Sequence, residues 1–197
     1  MSAWAIMLST QVILIRRKKI EFHRCVGRLS LILVPAILLS TWFVVLWSVQ
    51  KNLSNAPREN ILGFMLIQVT DVLLFGLFYT LAIVFRKNYQ NHIGYIVSAS
   101  LVLLPPSLIR LLINYGPGYD WLNPFIFSQV FIDFLIFVLF VTTWSSKKRI
   151  NVAYAVSFVI LIVFQITRVN LKFTDTWQEA ASLLAALLLP RANHLSG

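Results

Sequence analysis

Long apolar segments separated by short polar loops are the feature of this sequence that most limits its fold. Five of them are 20 to 25 residues long, close to the length that a helix rising 1.5 Å per residue needs to cross a hydrocarbon core of roughly 30 Å. Lipid offers no hydrogen-bond partners, so such segments must be helical. The sequence therefore predicts an all-α fold, a polytopic transmembrane helical bundle in one domain, residues 1–197. We expect spans at residues 3–15, 29–49, 61–85, 92–115, 125–144 and 152–173.

The first and last of the predicted helices are too short to cross unaided. Residues 3–15 reach only about 20 Å, so we expect the first of the six spans to be short, and either tilted at the edge of the bundle or truncated at its start. The last helix, residues 177–189, is preceded by Thr176, with Glu179 three residues later, a capping-box arrangement. We expect this helix to lie at the interface or to pack across the mouth of the bundle.

Composition and charge exclude several classes of protein. Only 12% of the residues are charged, about half the fraction typical of a soluble domain. The net charge of +10 comes from short basic clusters between the spans, a pattern typical of membrane topology rather than of nucleic-acid binding. A single cysteine, Cys25, excludes an intrachain disulfide and a cysteine-based metal cluster. No phosphate loop, HExxH motif or nucleophile elbow is present, so we predict no catalytic residue and no metal site.

The basic residues predict an orientation. The first, third and fifth loops carry most of the lysines and arginines, whereas the second and fourth carry only Lys51 and Arg58. By the positive-inside rule, the odd loops face the cytoplasm of a bacterial inner membrane and the C-terminus lies outside. We expect the bilayer as the main partner, with anionic lipid head groups at the basic loops.

Charged residues inside the spans suggest a site. Each costs roughly 2.5–3.5 kcal/mol on insertion scales, so such residues are seldom without a role. All four fall in the outer half of the membrane, and in three helices a glutamine lies on the same face as the charge. The fourth span breaks at Pro105-Pro106 and adds an arginine and an asparagine. The predicted pocket comprises Asp71, Arg110, Asp133, Arg168, Gln68, Gln129, Gln165 and Asn114.

Two interpretations of this pocket remain open. The polar side chains could pair with each other across helices and have only a structural role. Alternatively, they could form an outward-opening pocket that holds a small ligand or relays protons.

Two histidines form a separate group at the cytoplasmic ends of the spans. His23 precedes the second span and His92 precedes the fourth. Histidines on neighbouring helices can be the axial ligands of a b-type haem. The alternative is that both are interfacial residues of basic loops, in contact with anionic lipid head groups.

The order of several short motifs carries a resemblance. They are Trp4 and Gln11, His23-Arg24 with Gly27, Asp71, His92, Pro106, Arg110 and Trp177. This pattern resembles a family of uncharacterised bacterial multi-pass inner-membrane proteins, over most of the chain. Members of that family usually begin earlier, with a complete first helix that bears a further histidine. The resemblance implies no established activity. A looser likeness to cytochrome b561-type haem bundles is an analogy of fold.

The sequence thus supports several functions. The leading hypothesis is ligand binding, sensing or transport through the polar pocket, without enzyme chemistry. The alternatives are a haem-binding electron-transfer protein that uses His23 and His92, and a structural subunit of a membrane complex.

Overall fold

The computed structural model describes residues 2–52, 57–115, 123–147 and 151–188, and all regular structure in these ranges is helical. The helices are α1 (Ser2–Arg16), α2 (Ile20–Asn52), α3 (Arg58–Val84), α4 (Tyr89–Val102), α5 (Pro105–Tyr115), α6 (Pro124–Lys147), α7 (Val152–Leu171) and α8 (Asp175–Leu188). Five helical segments, with α4 and α5 counted as one, are long and apolar enough to cross a membrane. The chain is therefore a helical bundle of the kind that spans membranes several times.

The helices extend beyond the apolar segments on which the spans were predicted. α2 begins at Ile20, well before the predicted start at residue 29, because the second half of the basic segment after α1, from Ile20 to Arg28, is itself helical. Lysine and arginine are good helix formers, and a helix can continue past the hydrocarbon into the polar interface. α3 likewise begins at Arg58, three residues before the predicted start.

Two prolines divide the fourth apolar segment into two helices. α4 ends at Val102 and α5 begins at Pro105. Proline has no backbone N–H and clashes with the preceding turn, so it is favoured in the first turn of a new helix. The amides of Leu103 and Leu104 bond to carbonyls three residues back. This tight turn closes α4.

The core is built around α3, which packs against α2, α4, α7 and α8. Trp4 of α1 contacts Phe75 of α3 edge to face, with ring centroids 5.3 Å apart. The Trp4 indole N–H also donates to the Ser100 hydroxyl of α4, at 3.2 Å. The short first helix is therefore an integral part of the bundle.

The last helix lies against the bundle at the far end from the α3–α4 turn. The Trp177 indole N–H donates to the Leu62 carbonyl at 2.8 Å, and Ala181 is fully buried against the ends of α2 and α3. A Cβ atom at Gly63 would lie 3.3 Å from the Lys172 carbonyl oxygen, so α3 and the α7–α8 turn approach closely. The last helix therefore packs against the ends of α2 and α3.

A glycine sets the distance between α4 and α7. A Cβ atom added at Gly94 would lie 2.6 Å from the Ala153 Cβ and 3.2 Å from the Asn151 Oδ1. Asn151 begins α7, where its side chain accepts from the Ala153 amide and donates to the Gln90 carbonyl of α4. The two helices therefore meet here with no space for a larger residue.

We expect Gly94→Ala to destabilise the bundle by about 1–3 kcal/mol, because overpacking forces backbone shifts. Gly76→Ala is the matched control, since its Cβ would make only ordinary contacts of 3.7 Å with Leu38. Thermal unfolding of the purified proteins in detergent measures both. Equal stability of the two variants would show that α4 and α7 are not in close contact at Gly94.

Candidate functional site: a buried polar cluster

Five polar side chains from three helices meet in the interior of the bundle. Asp71 lies at the midpoint of α3, and the others come from α6 and α7. On α6 and on α7 the two polar residues are four and three positions apart, which puts each pair on one face of its helix. We call this group the polar cluster: Asp71, Gln129, Asp133, Gln165 and Arg168.

An ion pair between α3 and α7 forms one part of the polar cluster. The Arg168 Nη1 lies 2.8 Å from the Asp71 Oδ1. The Arg168 side chain is 2% exposed and that of Asp71 18%, so both charges are largely removed from solvent. Arg168 lies in the last turn of α7, where the helix dipole favours a cation. Its guanidinium also lies 5.7 Å from the centre of the Phe125 ring, within the range of a cation–π contact.

Hydrogen bonds from one glutamine of α7 connect that helix to the Asp133 carboxylate of α6. The Gln165 Nε2 donates to the Asp133 Oδ1 at 3.0 Å and, more weakly, to the Gln129 Oε1 at 3.4 Å. Gln129 is 9% exposed and Asp133 is half-buried. Asp133 therefore has a neutral hydrogen-bond donor where Asp71 has a cation.

The polar cluster has unused hydrogen-bond donors. The Arg168 Nε and the Gln129 Nε2 are buried and have no partner among the described residues. A buried donor without a partner costs about 1–3 kcal/mol, and most such groups in folded proteins are satisfied. The cluster also has two carboxyl groups for one guanidinium, so it lacks one positive charge if both acids are ionised.

Three residues of the predicted pocket lie outside this network. Arg110 and Asn114 are exposed on α5, and Arg110 forms no ion pair with any described residue. Gln68 is half-buried one turn before Asp71, without a hydrogen bond to the described part of the chain. The predicted positions of Arg110 and Asn114 are wrong because the helix breaks before Pro105, and α5 begins there with its own rotation about its axis. The positions of the buried residues along α4 therefore do not predict which way the Arg110 side chain points.

The two histidines lie at the opposite end, near the α1–α2 and α3–α4 turns. The His92 Nδ1 donates to the Ala82 carbonyl at 2.7 Å, which leaves its Nε2 available. The His23 carbonyl accepts from the Gln11 Nε2 at 3.2 Å, while the His23 Nδ1 and the Gln11 Oε1 are buried without a partner in the part of the chain that the structure describes. In the described ranges, no three histidine, cysteine or acidic side chains are placed to hold a metal ion.

One contributor to the polar cluster was missed in the sequence. Phe125 was assigned only as the first residue of an apolar span, yet its ring packs against Arg168. The available signal was its position four residues before Gln129, which puts both on one face of α6.

Comparison with known proteins adds no relative. No family model matches the chain, and neither a curated protein nor a solved structure is significantly similar to it.

We expect Arg168→Met to destabilise the protein by about 3 kcal/mol, because it leaves the Asp71 carboxylate buried without its cation. Arg110→Met is the matched control. Because Arg110 is exposed, its replacement is expected to change stability by no more than about 0.5 kcal/mol. Unfolding of the purified proteins in detergent, followed by circular dichroism, compares them. A larger loss for Arg110→Met than for Arg168→Met would contradict this assignment of the buried arginine.

Proposed function

We propose that the chain is an integral protein of a bacterial inner membrane with six spans, of which α1 is the short one. The five long apolar helices support membrane insertion, and the burial of Trp4 against α3 and α4 supports a place for α1 beside them. In this proposal the basic turns face the cytoplasm and anionic lipid head groups. The α8 helix then lies on the outer side.

We further propose that the polar cluster binds and releases a proton in the service of sensing or transport, with Asp133 as the proton-binding group. One observation carries this proposal: Asp133 is held by the neutral amide of Gln165, whereas the one buried guanidinium of the cluster pairs with Asp71. Removing a carboxylate from solvent without an ion-pair partner is unfavourable even when it is half-buried, and binding a proton or a cation reduces that penalty. A proton needs no cavity, which suits side chains that are already packed together.

The unused donors support this role over a purely structural one. In a purely structural network we would expect each buried donor to be satisfied, yet the Arg168 Nε and the Gln129 Nε2 are not. Arg168 therefore has capacity to bind a second acceptor. When Asp133 loses its proton, both carboxylates attract the Arg168 guanidinium. Because Asp133 lies on α6 and Arg168 on α7, this attraction acts between those two helices.

Infrared spectroscopy of the protein in lipid tests the proton site. We expect a carboxylic-acid C=O band that disappears as the pH is raised, and we expect Asp133→Asn to abolish it. Asp175→Asn, at an exposed acid of α8, is the control and is expected to retain the band. Asp71→Asn should weaken it, because Arg168 is then available to the Asp133 carboxylate. An unchanged band in Asp133→Asn would exclude Asp133 as the proton-binding group.

A second candidate function is b-type haem binding by His23 and His92. The observation that favours it is the hydrogen bond from the His92 Nδ1 to the Ala82 carbonyl, the type of outer contact that orients a ligating imidazole and leaves its Nε2 free. Each imidazole would supply one axial nitrogen.

An absorption spectrum of protein expressed with haem supplementation tests this candidate. For a haem protein, we expect a Soret band that shifts on reduction and is lost in His92→Ala. The neighbouring substitution Asn91→Ala is the matched control and should retain the band. A spectrum without a Soret band would eliminate the candidate and leave the proton site unaffected.

A further inference from the structure

A shallow cavity of about 280 Å³, open to the surface of the bundle, lies between α4, α6 and α7, at the end of the bundle that carries the histidines. It is distinct from the polar cluster, which lies toward the other end of α6 and α7. Its volume is near the lower limit of small-molecule sites, roughly 300–1,000 Å³. The lining residues are Tyr89, Gln90, Ile93, Thr142, Thr143, Asn151 and Tyr154.

The lining is more apolar than polar, but it carries hydroxyl and amide groups and contains no ionisable acid or base other than tyrosine. Tyr154 is 6% exposed, and its hydroxyl makes no hydrogen bond within the described ranges. Tyr154 lines the cavity, so its hydroxyl can donate to a ligand that enters there. Tyr89 and the Gln90 side chain add further donors without a described protein acceptor.

The remaining polar groups of the lining are acceptors. The hydroxyls of Thr142 and Thr143 donate to carbonyls of their own helix, so their oxygens retain lone pairs for a ligand. The Asn151 amide is already used in both directions, toward Gln90 and Ala153. The cavity thus offers donors on the α4 and α7 sides and hydroxyl acceptors on α6.

The electrostatic surroundings favour a negatively charged ligand. The exposed residues Arg86 and Lys87 lie in the turn that leads directly to Tyr89, and no acidic side chain lines the cavity. A phosphate ester has several acceptor oxygens for the tyrosine and glutamine donors. A glycerol attached to that phosphate has hydroxyls that can donate to the threonine oxygens.

We propose that this cavity binds the glycerol-phosphate head group of an anionic phospholipid. In the proposed membrane placement, the first residues of α4 and α7 and the last residues of α6 lie at the cytoplasmic interface, at the depth of lipid phosphates. The inference therefore rests on that placement but not on proton binding by the polar cluster. The bound lipid holds together three helix ends that meet around Gly94 and Asn151.

Native mass spectrometry of delipidated protein in detergent tests the proposal, with dioleoylphosphatidylglycerol, dioleoylphosphatidylcholine and sn-glycerol 3-phosphate as probes. We expect one phosphatidylglycerol to bind more tightly than either other compound. Tyr154→Phe should weaken it about tenfold, the loss expected for one hydrogen bond to a charged group. Thr143→Val, which keeps the side-chain shape, should also weaken it. Tyr115→Phe, at an exposed tyrosine of α5, is the matched control and should bind as the wild type does.

Each other outcome would overturn the proposal. Equal binding of phosphatidylcholine would remove the role of the anionic glycerol head group. Equal binding of sn-glycerol 3-phosphate would assign the cavity to a soluble phosphate ester instead of a lipid. Unchanged phosphatidylglycerol affinity in both Tyr154→Phe and Thr143→Val would place the lipid elsewhere on the protein. None of these results would alter the infrared test of Asp133.

Discussion

The ion pair between Arg168 and Asp71 is the interaction on which the interior of this bundle depends. A guanidinium that is 2% exposed is tolerated because a carboxylate lies 2.8 Å away, since an isolated charge in an apolar interior costs several kcal/mol. The pair joins α3, the helix with the most neighbours, to the last turn of α7. Within the described ranges, the same arginine makes no salt bridge to Asp133, whose hydrogen bond comes from the neutral amide of Gln165.

The two ends of the bundle have different chemistry, and α3 connects them. At one end its Ala82 carbonyl accepts from His92, and the neighbouring starts of α4 and α7 line an open cavity that carries hydroxyl and amide groups. At the midpoint of α3, Asp71 pairs with Arg168. The first turns of α3 contact α8, where the Leu62 carbonyl accepts from the Trp177 indole. The proposed lipid site and the proposed proton site are therefore separated along α6 and α7.

Much of the fold could be predicted from the sequence, because hydrocarbon requires helices and the apolar segments are long. The shared faces of α6 and α7 could also be predicted, since regular helices keep the spacings of Gln129 with Asp133 and of Gln165 with Arg168. On α3 only Asp71 joins the polar cluster, because Gln68 makes no hydrogen bond within the described ranges. Arg110 shows where this reasoning fails: two prolines start a new helix whose rotation the sequence does not specify. The choice of Asp71 over Asp133 by Arg168 depends on packing between helices. The cavity depends on contacts among three helix ends that are far apart in sequence, so no local pattern reveals it.

Double-mutant cycles in unfolding free energy test the central claim most directly, with Arg168→Gln combined in turn with Asp71→Asn and with Asp133→Asn. Such a cycle isolates the energy between two side chains from the cost of each replacement. A coupling of about 2 kcal/mol or more between Arg168 and Asp71, with a much smaller one between Arg168 and Asp133, is the predicted result. A stronger coupling between Arg168 and Asp133 would contradict the claim that Asp133 is the carboxyl group without a cation.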